Sequence, residues 1–208
     1  LGYEAELQKV TVKMGEWYEI KVRGMLGTDE KDMKVISILN REIEVTAEGL
    51  LYRADSKHAR LIWEKLGLTR ESKGVTTPFV RDNVEEEDVP LSAVDATIFR
   101  QIAARANYLS QDRPDIQFAV KEVCAHMAEP TEAGVRRLKH LARYLIANPE
   151  VELRYPWAQE ESLEAIEVYT DSDWAGCRRS RKSTSGGVVT IGWGGSSRHG
   201  RRPRAQSP

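Results

Sequence analysis

The sequence predicts an α+β chain with β-hairpins first, a three-helix bundle in the middle, and the opening strands of a second, incomplete sheet last. Three observations carry this expectation. β-branched and aromatic residues cluster in short runs between residues 13 and 52. Apolar residues then recur at three- and four-residue spacing between residues 92 and 147, and a period of two returns from Val151.

In the first part, Trp17-Tyr18-Glu19-Ile20-Lys21-Val22 reads as a strand broken by Gly24. Met33 to Leu39 and Glu42 to Thr46 read as a second set, and Ala47-Glu48-Gly49 turns the chain back into Leu50-Leu51-Tyr52. Asp55 or Ser56 caps a short helix whose apolar face is Ala59, Ile62, Trp63 and Leu66, stopped by Gly67. Residues 1–68 thus form hairpins and a short helix, and residues 69–91 read as a linker whose acidic run Glu85-Glu86-Glu87-Asp88 is a solvated loop.

Ser92-Ala93-Val94-Asp95 fits a capping pattern ahead of a helix carrying Phe99, Ile102, Ala106 and Leu109. Asp112-Arg113-Pro114-Asp115 ends that helix and starts another with Pro in its first turn, where the missing N–H costs nothing. Ile116, Ala119, Val120, Val123 and Met127 follow at helical spacing up to Pro130. Thr131 caps a third helix with Val135, Leu138, Leu141, Ala142 and Leu145, terminated by Asn148-Pro149. Short connections make an antiparallel bundle over residues 92–149 the natural packing. Val151 to Tyr155, Ala165 to Asp171 and Gly187 to Ile191 are expected as neighbouring strands of a new sheet within residues 150–191. Residues 192–208, rich in Arg, Gly, Ser and Pro, read as a disordered basic tail.

Composition bounds the function classes. Of 208 residues, 40% are hydrophobic and 30% charged, an ordinary globular balance with no run near the eighteen apolar residues of a membrane span. The first residues lack a basic flank and apolar core, so no secretory signal is read, and the missing initiator Met suggests a sequence that starts mid-frame. Two cysteines, Cys124 and Cys177, make no disulfide framework and point to an intracellular, cytoplasmic or nuclear setting. Net charge of −1 hides an asymmetry, because eight basic and no acidic residues follow Trp174. A nucleic-acid role therefore needs a local basic face.

The run Tyr169-Thr-Asp-Ser-Asp-Trp-Ala-Gly-Cys-Arg-Arg-Ser-Arg-Lys-Ser-Thr-Ser-Gly-Gly187 closely resembles the start of the ribonuclease H domain of Ty1/copia-type retrotransposon Pol polyproteins. Phe99-Arg100-Gln101-Ile102, Asn107-Tyr108-Leu109-Ser110, Asp112-Arg113-Pro114-Asp115-Ile116, Met127-Ala128-Glu129-Pro130 and Leu138 to Leu145 resemble that family's reverse transcriptase beyond its polymerase active site. Met25-Leu26-Gly27 and Thr77-Pro78 match weaker landmarks. The resemblance is close over residues 95–191, looser over 25–94 and absent from the tail. It implies post-palm hairpins, a thumb-like helical bundle and an RNase H-like sheet that is incomplete. It also implies a parent that is an RNA-directed DNA polymerase and ribonuclease H, acting with Mg²⁺ on a primer–template or RNA/DNA hybrid.

The departures matter as much. The family's polymerase site needs a Tyr-x-Asp-Asp turn, and no Asp-Asp pair occurs in this chain. Its ribonuclease H site needs about four carboxylates on two metal ions, and no carboxylate side chain follows Asp173. The expectation is a truncated, catalytically inactive portion of the polyprotein that holds no cofactor of its own and touches no membrane.

Asp171 matches the first ribonuclease H carboxylate and so is the one candidate catalytic and metal position, against the plain reading of a strand-end Asp opening a turn. Asp173 belongs to the turn, and Trp174 reads as a sheet-packing or core residue in preference to a stacking one. Arg136, Lys139, His140 and Arg143 share one face of the third helix and form a candidate phosphate-binding stripe. Exposed helix faces are also commonly basic. Arg178, Arg179, Arg181 and Lys182 either meet phosphates or line a solvated loop. Arg113 reads as a capping and ion-pair residue, and Cys124 and His126, two apart on a helix, point away from any shared metal. The competing class is a noncatalytic nucleic-acid-binding module.

Overall fold

The computed structural model describes residues 3–80, 89–157, 166–176 and 181–191. The chain is α+β, with five α-helices, a four-stranded antiparallel sheet and a two-stranded one among the described residues. The expected basic tail over residues 192–208 lies outside them.

The first element corrects the strand expected at Trp17–Val22. Helix α1 spans Glu4–Trp17 and buries no residue. Its composition is that of a good helix former (Glu, Ala, Leu, Gln, Lys, Met), with Glu4 and Glu6 in the first turn complementing the helix dipole. Tyr18 is extended, but the run up to Val22 finds no neighbouring strand among the described residues and its side chains stay exposed, Val22 by 64%. β-branched composition alone does not make a strand, because the ladder hydrogen bonds need a partner.

Strands β1 (Val35–Ile38) and β2 (Arg41–Val45) form a hairpin with Ile38 opposite Arg41. The two linking residues, Leu39 and Asn40, have φ of 52° and 62°, the backbone of a type I′ turn. Strand β3 (Gly49–Arg53) pairs with β2 through a turn in which Thr46 N–H donates to the Gly49 carbonyl at 2.8 Å. Gly49 N–H in turn donates to the Thr46 hydroxyl at 3.2 Å.

Strand β4 (Glu152–Pro156) overturns the expected second sheet. It pairs with β3, with Tyr52 opposite Leu153, to give the order β1-β2-β3-β4. The reason is visible in its side chains. Arg53 donates to Glu42 at 2.6 Å, to Glu44 at 2.8 Å and to Glu152 at 2.7 Å, so one guanidinium joins three strands. This holds the Glu152 carboxyl below its ordinary range and Arg53 above its own. Gly49 lies where a Cβ would stand 2.1 Å from the Tyr155 carbonyl oxygen, so only glycine admits β4 so closely. Only β5 (Ile166–Ser172) and β6 (Ser185–Ile191) make the separate sheet.

The bundle gains a helix. α2 (Ser56–Lys65) packs on α3 (Ala93–Ser110) and α5 (Glu132–Ala147), while α4 (Gln117–Cys124) closes the ring against α3 and α5. The expected three-helix bundle is therefore a four-helix one, because Ala59, Ile62 and Trp63 of α2 belong to the same core as Phe99, Leu109, Val120 and Leu141. Three caps form where the sequence placed them. Asp55 accepts from Lys57 N–H, Ser92 from Asp95 N–H and Thr131 from Gly134 N–H. Residues 73–79 of the supposed linker run from α5, where Val75 N–H donates to the Arg143 carbonyl, to α4, where Phe79 meets Phe118 edge-on at 5.0 Å.

Candidate nucleic-acid interface

The Asp112–Asp115 segment turns out to be the joint of the fold. Arg113, only 1% exposed, donates through Nε and Nη2 to the two Asp115 oxygens at 2.8 and 2.7 Å. Its remaining donors reach the Asn148 and Pro149 carbonyls at the end of α5, at 3.1 and 3.3 Å. The Tyr144 hydroxyl donates to the same Asp115 at 3.0 Å. Asp112 faces the other way and accepts from Arg41 Nε at 2.8 Å and the Tyr52 hydroxyl at 2.6 Å, joining the sheet to the bundle. Burial first, and the adjacent carboxylates second, push Tyr52 and Tyr144 up to about 12. Arg113 is thus saturated from within the chain, in agreement with its reading as an ion-pair residue.

The α5 stripe divides into two halves. His140 Nε2 donates to the Thr77 carbonyl at 2.9 Å, and Arg143 Nε donates to the Lys73 carbonyl at 2.7 Å. Both side chains are half-buried and hold residues 73–79 down. That corrects their place on an open basic face, since helical spacing does not reveal what covers a face. Arg136 and Lys139 are exposed. They border a groove of about 430 Å³ whose floor includes Leu66, Ile98, Phe99 and Val135 and whose rim also carries Asp95 and Glu132. His126 binds Thr131 and Arg137 through its two ring nitrogens, and burial pushes the Cys124 thiol up, so neither is poised as a ligand.

Asp171 lies exposed on β5, opposite Gly186. Asp173 belongs to the turn, as expected. Its N–H donates to the Thr184 carbonyl at 3.0 Å, and its carboxylate accepts from Thr184 N–H. A Cβ on Gly176 would fall 2.1 Å from that carboxylate. Trp174 is the clear correction. It is 94% exposed and packs in no core, in the bend after a strand whose sheet has two strands among the described residues. Arg181 and Lys182 are exposed across the turn, whereas Arg178 and Arg179 lie outside the described residues.

A two-metal site needs several carboxylates converging on the ions. Among the described residues no group of three or more His, Cys, Asp or Glu side chains is placed to hold a metal ion. Among the described residues, the donor set around Asp171 does not fit the Mg²⁺ pair of a ribonuclease H. Among the described residues, no helix is long and apolar enough to cross a membrane.

Comparison with known proteins places the chain. It is 32% identical over 145 residues to the uncharacterized mitochondrial protein AtMg00810 of Arabidopsis thaliana, covering 68% of this chain and 57% of that one. It is 32% identical over 121 residues to the retrovirus-related Pol polyprotein from transposon RE1 of the same plant, and 32% identical over 98 residues to that from transposon RE2. The chain is thus similar to a part of retrovirus-related Pol polyproteins of transposons. It spans 57% of the mitochondrial protein but only 8% and 6% of the two polyproteins, covering 58% and 47% of its own length. No family model matches the chain, and no solved structure does.

The Asp112–Asp115 motif acts in this chain as an internal tie. Its polar and Pro-containing sequence signals a helix boundary but carries no mark of the partners it finds in β2, β3 and α5. Asp112 as the anchor of Arg41 was not legible in the sequence, since 71 residues separate the two.

Proposed function

We propose that this chain is a noncatalytic portion of a copia-type Pol polyprotein that contacts nucleic acid. The copia-type assignment rests on the Asp-Ser-Asp-Trp-Ala-Gly and Arg-Lys-Ser-Thr-Ser-Gly runs, and polymerase and ribonuclease H chemistry belongs, on this reading, to a longer parent. The observation that carries the proposal is the combination of an exposed Asp171, outside any carboxylate cluster among the described residues, with exposed cations at Arg136 and Lys139 on α5 and at Arg181 and Lys182 on the turn. One carboxylate cannot clamp two ions, but spaced cations suffice to neutralise phosphates. The ligand is a primer–template or RNA/DNA hybrid, bound through its backbone and without sequence preference.

Titration of a labelled RNA/DNA hybrid over a salt series tests this. Arg136→Glu with Lys139→Glu should weaken binding and flatten the salt dependence, by a slope change of about 0.9 for each phosphate that is no longer neutralised. Binding that ignores those substitutions removes the interface. Hybrid cleavage with Mg²⁺ that disappears in Asp171→Asn would overturn the noncatalytic reading.

A further inference from the structure

The turn between β5 and β6 offers an indole ring to solvent at 94% exposure, the highest of the exposed large apolar side chains. A ring of this size ordinarily finds cover, since its burial is worth more than that of any aliphatic side chain. Here the ring is held out on a braced support. Asp173 and Thr184 exchange two backbone-anchored hydrogen bonds, and Ala175 N–H donates to the Ser183 hydroxyl at 3.1 Å. Lys121 of α4 donates to the Thr184 hydroxyl at 2.8 Å, which ties the turn to the bundle. Ala175 and Arg181 both sit in the left-handed region, with φ of 48° and 55°, a conformation that non-glycine residues adopt at a cost and that gathers at binding sites.

We infer that Trp174 is a stacking platform for an unpaired nucleobase, with Arg181 and Lys182 receiving the adjoining phosphates. The inference rests on the nucleic-acid reading above and adds to it a residue and a single-stranded ligand. An exposed aromatic face beside cations is the recurring composition of single-strand binding surfaces. Stacking there tolerates any sequence, because every base has a π-face. Asp171 is exposed on the β5 side, so its carboxylate repels a phosphate there and leaves the Arg181–Lys182 side as the path for the backbone. Asp173 competes less, as its carboxylate is engaged within the turn.

The experiment uses the full chain with fluorescein-labelled oligothymidylate and oligouridylate, and a blunt RNA/DNA hybrid for comparison. Trp174→Ala should weaken single-strand binding about 5- to 150-fold, the range for the removal of one base stack, while Trp174→Phe keeps most of the affinity. The blunt hybrid should bind both variants as it binds the parent chain, and the melting temperature should not move. Unchanged single-strand affinity in Trp174→Ala, with hybrid binding still weakened in Arg136→Glu/Lys139→Glu, would sink the stacking role and leave the wider reading intact. A chain that binds neither hybrid nor single strand would end both. A drop in melting temperature for Trp174→Ala would make the ring a packing residue and overturn the inference.

Discussion

Replacing Arg113 by Met should be among the most damaging single substitutions in this chain. The guanidinium is 1% exposed, and its donors are spent on both Asp115 oxygens and on the Asn148 and Pro149 carbonyls. Met fills much of the volume but leaves Asp115, 23% exposed, as a carboxylate held only by Tyr144, and strips two carbonyls at the end of α5 of their donors. Removing one member of a buried ion pair costs about 3–5 kcal/mol, chiefly through the charge left behind. That is about a fifth or more of the ~5–15 kcal/mol that holds a typical domain. With a urea dependence of ~1–3 kcal/mol per molar, the unfolding midpoint should fall by about 1 M or more. Urea titration followed by far-ultraviolet circular dichroism reads this directly, with the slope unchanged. Arg154→Met provides the reference, because its pair with Glu152 leaves Arg154 73% exposed and should contribute at most about 1 kcal/mol. A loss for Arg113→Met no larger than that of Arg154→Met would refute the view of this motif as the internal joint.

Two further outcomes follow from the same geometry. Gly49→Ala should unzip β4 from β3, since the new methyl would meet the Tyr155 carbonyl oxygen at 2.1 Å and φ is +156°. The expected loss is about 1–3 kcal/mol, with amide exchange rising along Glu152–Pro156, and protection equal to the parent chain would show that the strands tolerate the insertion. Alkaline titration gives the second. Tyr52 and Tyr144 are raised to about 12, above their unfolded value of about 10, so the stability they contribute is present below pH ~10 and disappears as pH rises through ~12. Tyr52→Phe and Tyr144→Phe should each flatten that decline, and a stability flat across the same interval would contradict the assignment.

Much of the bundle was legible because its signals are local. Asp55, Ser92 and Thr131 cap helices by reaching an N–H two or three residues away, and Ile102, Leu109, Leu138 and Leu145 share faces through helical spacing. The β2–β3 turn was legible for the same reason, with Thr46 and Gly49 closing it among themselves. Asp173 is likewise a turn residue by its immediate sequence. What the sequence left open is what lies opposite each face. Trp17–Val22 has strand composition and no strand beside it among the described residues, while α1 is built from residues whose helical preference is decisive only because nothing competes for them.

The amino-acid sequence by itself determined the α+β class, the limits of α3 and α5, the Pol resemblance and the shortage of carboxylates after Asp173. Tertiary structure alone decided that β4 joins the first sheet, through an Arg53–Glu152 bond between residues 99 apart. It alone decided that α2 completes the bundle, and that His140 and Arg143 are spent on residues 73–77 while Arg136 and Lys139 face solvent. The physical reason is the range of the forces involved. Capping, turn chemistry and periodicity act within a few residues and are written where they act. Strand pairing and the covering of a charged face depend on summed interactions between distant segments, and no single stretch of sequence contains that sum.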